Sequence, residues 1–132
     1  MTEQERARHA LQRLNAVKAD KREKFKKLYR SYVERLGPAI LINGLGQALA
    51  MELAAAGEKK DDDEQAHDQL YSNIRHLLCE AASVYPPQSD LIEAVLNGSP
   101  DQYATAQFET LAWLSWHKKF CQAYLPREEV RQ

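Results

Sequence analysis

The sequence predicts an all-α protein, a single compact bundle of five to six helices. Apolar residues recur at three- and four-residue spacing through most of the chain. Five Gly and five Pro are few among 132 residues, and the alternating Val, Ile, Thr and aromatic runs that mark strands are missing. A chain of this length buries a core without disulfides or metals.

Thr2 followed by Glu5 has capping-box spacing, and Ala7, Ala10, Leu11, Leu14 and Val17 then form the first apolar stripe. Phe25, Leu28, Tyr29, Tyr32, Val33 and Leu36 form a second stripe in phase with it. Lys18 and Lys21 fall on the apolar face between them, which favours two helices over one long one. Gly37-Pro38 is expected to stop the second helix and start a third, because Pro suits a first turn and disfavours helix in the residue before it. Residues 38–56 are apolar nearly all round and read as a central buried helix. In it Leu45 is a core position, and Gly44 and Ala48 leave room for a neighbouring helix. Asn43, Gln47 and Glu52 argue against a membrane span.

Gly57 is the expected cap of that helix, followed by a charged loop at about 57–63. The run Asp61-Asp62-Asp63-Glu64 places negative charge at the positive end of the next helix. Leu70, Ile74, Leu77, Leu78, Ala81, Val84 and Tyr85 continue that helix to Pro86-Pro87. Ser89 is read as the cap of a short helix carrying Leu91, Ile92, Val95 and Leu96, closed by Asn97-Gly98. The last helix starts at Ser99 or Asp101 and runs to about Tyr124, leaving a short tail at 126–132. Its apolar residues, Trp116 among those expected in the core, spread over most of its circumference. Such a helix is central or shared with a partner.

The net charge of −1 hides an asymmetry. Residues 1–36 hold eleven Lys and Arg against five acids, a net +6, and the remainder holds seven against fourteen, a net −7. That polarity suits a polyanion at one surface and a protein at another; plain solvation of an exposed helix is the simpler account. No apolar stretch follows a basic head at the N-terminus, so a cytoplasmic protein is expected. Cys79 and Cys121 then read as small core hydrophobes and not as a disulfide.

Searches for chemistry return nothing that assembles a catalytic site. There is no Walker loop, no His-Glu-x-x-His, no Gly-x-Ser-x-Gly and no Cys-x-x-Cys. His76 and Cys79 have a ligand-like spacing, and one pair is not a zinc site. Neighbouring Asp side chains in the Asp61–Glu64 run point different ways, so a solvated cap is favoured over a metal site. No catalytic residue, metal or other cofactor is expected. The candidate binding groups are cations: Lys26, Lys27 and Arg30, off the apolar stripe of the second helix, and Lys118 and Lys119, directly before Phe120. Point charges with aromatics beside them are what a protein uses to track a nucleic-acid backbone.

Two blocks resemble the small helical subunit of type III-B CRISPR effector complexes, the Cmr assembly. The first is Tyr32-Val33-Glu34-Arg35-Leu36-Gly37-Pro38 leading into Asn43-Gly44-Leu45-Gly46-Gln47-Ala48-Leu49-Ala50. The second runs from Tyr103 through Glu109 to Trp116-His117-Lys118-Lys119-Phe120-Cys121-Gln122-Ala123. Departures from the family pattern are a proline one position late at Pro38, Gln107 where Thr is common, Ser115 where Glu is common, and Lys119 in place of Arg. The resemblance implies a non-catalytic subunit whose copies stack as an inner filament. Its implied neighbours are the repeated backbone subunits and the large polymerase-like subunit, with contact to crRNA and target RNA and none to membrane. Rival readings are the type III-A small subunit, a helical adaptor that binds only protein, and a small helical hydrolase using the Asp61–Glu64 run.

Overall fold

The structure is a computed structural model, and it describes residues 1–129. Six α-helices follow in order: α1 (Glu3–Ala19), α2 (Glu23–Asn43), α3 (Leu45–Ala56), α4 (Asp62–Arg75), α5 (Leu91–Asn97) and α6 (Pro100–Tyr124). No strand occurs among the described residues, so the all-α expectation holds. The predicted tail at 126–132 lies partly outside the described residues.

The capping box at the start of α1 is complete: Thr2 accepts from the Glu5 amide at 3.1 Å, and Glu5 accepts from the Thr2 amide at 2.8 Å. α1 and α2 are separate helices, broken at Asp20, whose carboxylate accepts from the Arg22 amide at 2.9 Å. α2 then runs straight through Gly37-Pro38, correcting the expected stop there. The pre-proline clash acts on the preceding residue's amide and its Cβ, and Gly37, which has no Cβ, escapes the second part. Pro38 itself lies on the exposed side of α2, where the carbonyl it leaves without an amide partner can meet water.

The break falls at Gly44, whose φ of +83° is a conformation that side chains with a Cβ avoid. The freed amides at the start of α3 find partners on α6. The Leu45 amide donates to Gln107 Oε1, and the Gly46 amide donates to the Tyr103 hydroxyl, both at 3.0 Å. The space read around Gly44 and Ala48 is therefore filled at Gly44 by a hydroxyl, not a helix: a Cβ on Gly44 would lie 3.0 Å from that oxygen. Gly44→Ala should cost about 2–3 kcal/mol through backbone strain and displacement of Tyr103. A urea midpoint that moves by less than the equivalent of 0.5 kcal/mol would contradict this.

Asp61 caps α4 by accepting from the Glu64 amide at 2.8 Å. The helix then widens into a π-helical turn over His76–Ala81, with Ala82 N donating to the Leu77 carbonyl at 2.7 Å. Widening lets three consecutive residues, Leu77, Leu78 and Cys79, all be fully buried. It also ends the helix early: Ser83 turns to a φ of +52°, so Val84 and Tyr85 follow the helix and do not extend it. α5 is capped by Asp90 and not Ser89, and α6 by Ser99 in a second complete capping box.

α6 packs between α1 and α2, α4 packs on α2 and α3, and α5 covers α3. The core is built from Leu14, Tyr29, Leu36, Ile40, Leu45, Leu49, Leu70, Ile74 and Trp113. The tryptophan in it is thus Trp113; Trp116 is only partly buried. Residues 38–56 are not buried all round either, since Leu41, Ile42 and Met51 are exposed. Both cysteines are buried and free.

Candidate nucleic-acid interface

The five cations singled out from the sequence have different surroundings. Lys26 turns back along α2 to Glu23, 3.4 Å away. Arg30 is held: its Nε donates to Glu34 at 3.2 Å, and one Nη donates to the Leu125 carbonyl at 3.0 Å, tying α2 to the end of α6. Lys27 lies beside it in a small cleft with Ser31, Glu34 and Glu128. Lys118 edges an apolar groove of about 200 Å³ floored by Val33, Gly37, Leu111 and Leu114. Glu34 lines both hollows, so Lys27, Arg30 and Lys118 share the seam between α2 and α6. Lys119, a helical step further round, turns to the α1 side, where its ammonium donates to the carbonyl and hydroxyl of Ser115 at 3.2 and 3.3 Å.

The structure thus joins three of the five cations and sets Lys26 and Lys119 to either side. Among the described residues, neither Lys27 nor Lys118 has a carboxylate within ion-pair distance. Arg30 is engaged internally and is poorly placed to leave for a ligand.

The acidic run does not converge. Asp61 caps α4, Asp62 pairs with Arg22 at 3.2 Å, Asp63 accepts from the Tyr32 hydroxyl, and Glu64 accepts from the Lys60 amide at 3.0 Å. No group of three His, Cys, Asp or Glu could hold a metal ion among the described residues. A second polar cluster joins α2, α3 and α4: the Tyr32 ring stacks on His67 at 3.7 Å, and His67 Nδ1 meets Glu52 at 2.6 Å. Burial pushes the Glu52 carboxyl above its usual range.

Buried polar groups escaped the sequence reading because their partners are far apart in the chain. Arg6 and Glu109 form a bidentate pair, Nε to Oε2 at 2.5 Å and Nη2 to Oε1 at 3.0 Å. Trp113 Nε1 donates to His9 Nδ1 at 2.9 Å, which leaves His9 Nε2–H to donate to His76 Nδ1 at 2.9 Å. His117 Nδ1–H donates to the Ala10 carbonyl at 2.8 Å, and its Nε2 accepts from the Tyr29 hydroxyl at 2.6 Å. Asn73 closes this second chain by donating to the Tyr29 oxygen at 2.8 Å. Together these bonds fix α1, α2, α4 and α6 in register.

The family model of the CRISPR-associated protein Cas_Cmr5 matches residues 2–124, nearly the whole chain. The chain belongs to that family. It is therefore a subunit of a multisubunit CRISPR type III effector complex. Within the chain, the two blocks that carried the resemblance are joined by contact: Tyr103 and Gln107 from the second hold Gly46 and Leu45 of the first. That part of the resemblance therefore records packing. Lys118 and Lys119 of the second block are exposed. No helix of the described residues is long and apolar enough to cross a membrane.

Proposed function

We propose that the chain is a non-catalytic small subunit of a type III-B effector, stacked with further copies as an inner filament beside the repeated backbone subunits and the large polymerase-like subunit. In this role it holds the crRNA and target RNA by their backbones, while base pairing reads the sequence. The observation that carries the reading is the family match over residues 2–124. Lys27 and Lys118, which share one seam and have no ion-pair partner among the described residues, support the RNA contact, with Lys26 and Lys119 flanking the seam on either side. Arg30 contributes by positioning the end of α6. The divergent Asp61–Glu64 side chains support a role without hydrolysis.

The test is to reassemble the complex with Lys27→Ala and Lys118→Ala together and measure target-RNA affinity at several salt concentrations. Each phosphate contact to a single strand adds about 0.7 to the slope of log affinity against log salt. Both substitutions should weaken binding independently of target sequence and make the slope shallower by about 1.4 per subunit copy that engages. An unchanged slope with assembly intact would leave the chain as a protein-binding adaptor.

A further inference from the structure

Three aromatic residues follow one another at four-residue spacing on the side of α6 that meets α1. The Trp116 and Phe120 rings stack with centroids 5.9 Å apart at 26°. The Tyr124 ring sits one turn on, 49 % exposed, with the Lys18 ammonium 4.2 Å from its centroid. Beside Trp116 opens a cleft of about 400 Å³ lined by Glu3, Ala112, Ser115, Trp116 and Lys119. Its volume falls within the range of small-ligand sites. It offers an indole, an ammonium whose partners among the described residues are both on Ser115, a hydroxyl and a carboxylate oxygen. The other oxygen of Glu3 is engaged by Trp116 Nε1 at 3.1 Å and Arg6 at 3.3 Å, which offsets its charge.

We propose that this cleft takes one unpaired RNA nucleotide, its base against the Trp116 indole and its phosphate on Lys119. The inference rests on the RNA reading above and adds a site outside the α2–α6 seam. Aromatic faces interleaved with cations are the means by which proteins hold single strands without reading sequence. The composition favours RNA over a protein segment. No Leu, Ile or Val lines the cleft, whereas exposed branched aliphatic side chains stand on other helices, Leu41 and Ile42 on α2, Leu53 on α3 and Leu96 on α5.

Tryptophan emission makes the site observable, because Trp113 is fully buried and Trp116 is the tryptophan at the cleft. Single-stranded oligouridylate titrated into the full chain should quench emission, and a duplex RNA of equal length should quench far less. Trp116→Phe should remove most of the quench while keeping much of the affinity. Trp116→Ala should weaken single-strand binding about tenfold with an unchanged salt slope, as stacking is uncharged. Lys119→Ala should lower the slope instead, and it keeps the test valid should Trp116→Ala fold poorly. If oligouridylate binds with a normal slope but gives no quench, and neither Trp116→Phe nor Lys119→Ala alters binding, this site is wrong and the seam reading stands. If the chain binds no RNA and the Lys27/Lys118 variant complex is also unaffected, both fall together. Loss of subunit assembly in Trp116→Phe, without any quench by RNA, would assign the cleft to a protein neighbour and overturn the inference.

Discussion

Glu109→Ala is expected to destabilise the fold by about 3–5 kcal/mol, a large share of the stability of a domain this size. Arg6 and Glu109 side chains are each only 9 % exposed. The guanidinium meets both carboxylate oxygens, in the planar fork that only Arg provides. Removing the carboxylate leaves a cation buried between α1 and α6, with the exposed Glu3 carboxylate at 3.3 Å and the Met1 carbonyl at 3.4 Å left to compensate in part. The partial compensation places the cost toward the lower end of that range. Replacing both partners, with Arg6→Met and Glu109→Leu, removes the desolvation penalty together with the attraction. Such double changes are often close to neutral. Urea unfolding of the single and double variants, compared at equal m-value, reads both. A single variant that loses less than 1 kcal/mol, or a double no better than the single, would mean that the pair does not hold α1 to α6.

The helices were legible because each element's apolar period, caps and breakers lie within a few residues of one another. Thr2 and Glu5 cap α1 as their spacing indicates, and Ser99 caps α6. What the sequence hid depends on residues distant in the chain. The α2–α3 break looks stronger at Gly37-Pro38 than at Gly44, and only Tyr103 and Gln107, more than fifty residues on, make the later break favourable. The same holds for His9, His76 and His117. By spacing they give one ligand-like pair, His76 with Cys79, and no metal site; in the fold they are neutral links between helices. The cations were found because a charge run is a local property. Their division among the α2–α6 seam, Glu23 and the α1 side is set by which helices pack together, and that cannot be read from the run itself.

Those buried histidines lead to the second large effect, a loss of stability on mild acidification. His9 is 6 % exposed and His117 is fully buried, and each already has an acceptor role that protonation would destroy. His9 Nδ1 accepts from Trp113, and His117 Nε2 accepts from Tyr29. A proton on either nitrogen would set donor against donor in a dry core. Burial, with the His76 and Arg13 charges adding, holds the His9 pKa down at about 4; burial above all holds His117 at about 3. His76 is lowered in the same direction by burial and by Arg13 and Arg75. In the unfolded chain all three take up protons near the ordinary value of 6.5. Below that pH the unfolded state binds more protons than the folded one, so this stability is complete above about pH 6.5 and drains as the pH falls toward 4. His9 and His117 alone give a slope of roughly 3 kcal/mol per pH unit near pH 5, nearly two protons' worth. By pH 4.5 the loss is about 5 kcal/mol, comparable with the whole stability of many small domains. Glu52 acts in the opposite sense: its raised pKa means that the folded state gains a proton first and recovers a little stability over the acid range. Carboxylates lowered by hydrogen bonds, such as Glu80 to the Gln88 amide and Asp20 to Arg22, lose their contribution at lower pH still. Urea midpoints at half-unit steps from pH 7.5 to 4.5 give the slope, and Trp113 emission follows the same transition because its indole stacks on His117 at 4.1 Å. A flat profile between pH 6.5 and 5 would show that the histidines are charged or solvated in the fold, and the hydrogen-bond directions assigned to them would be wrong.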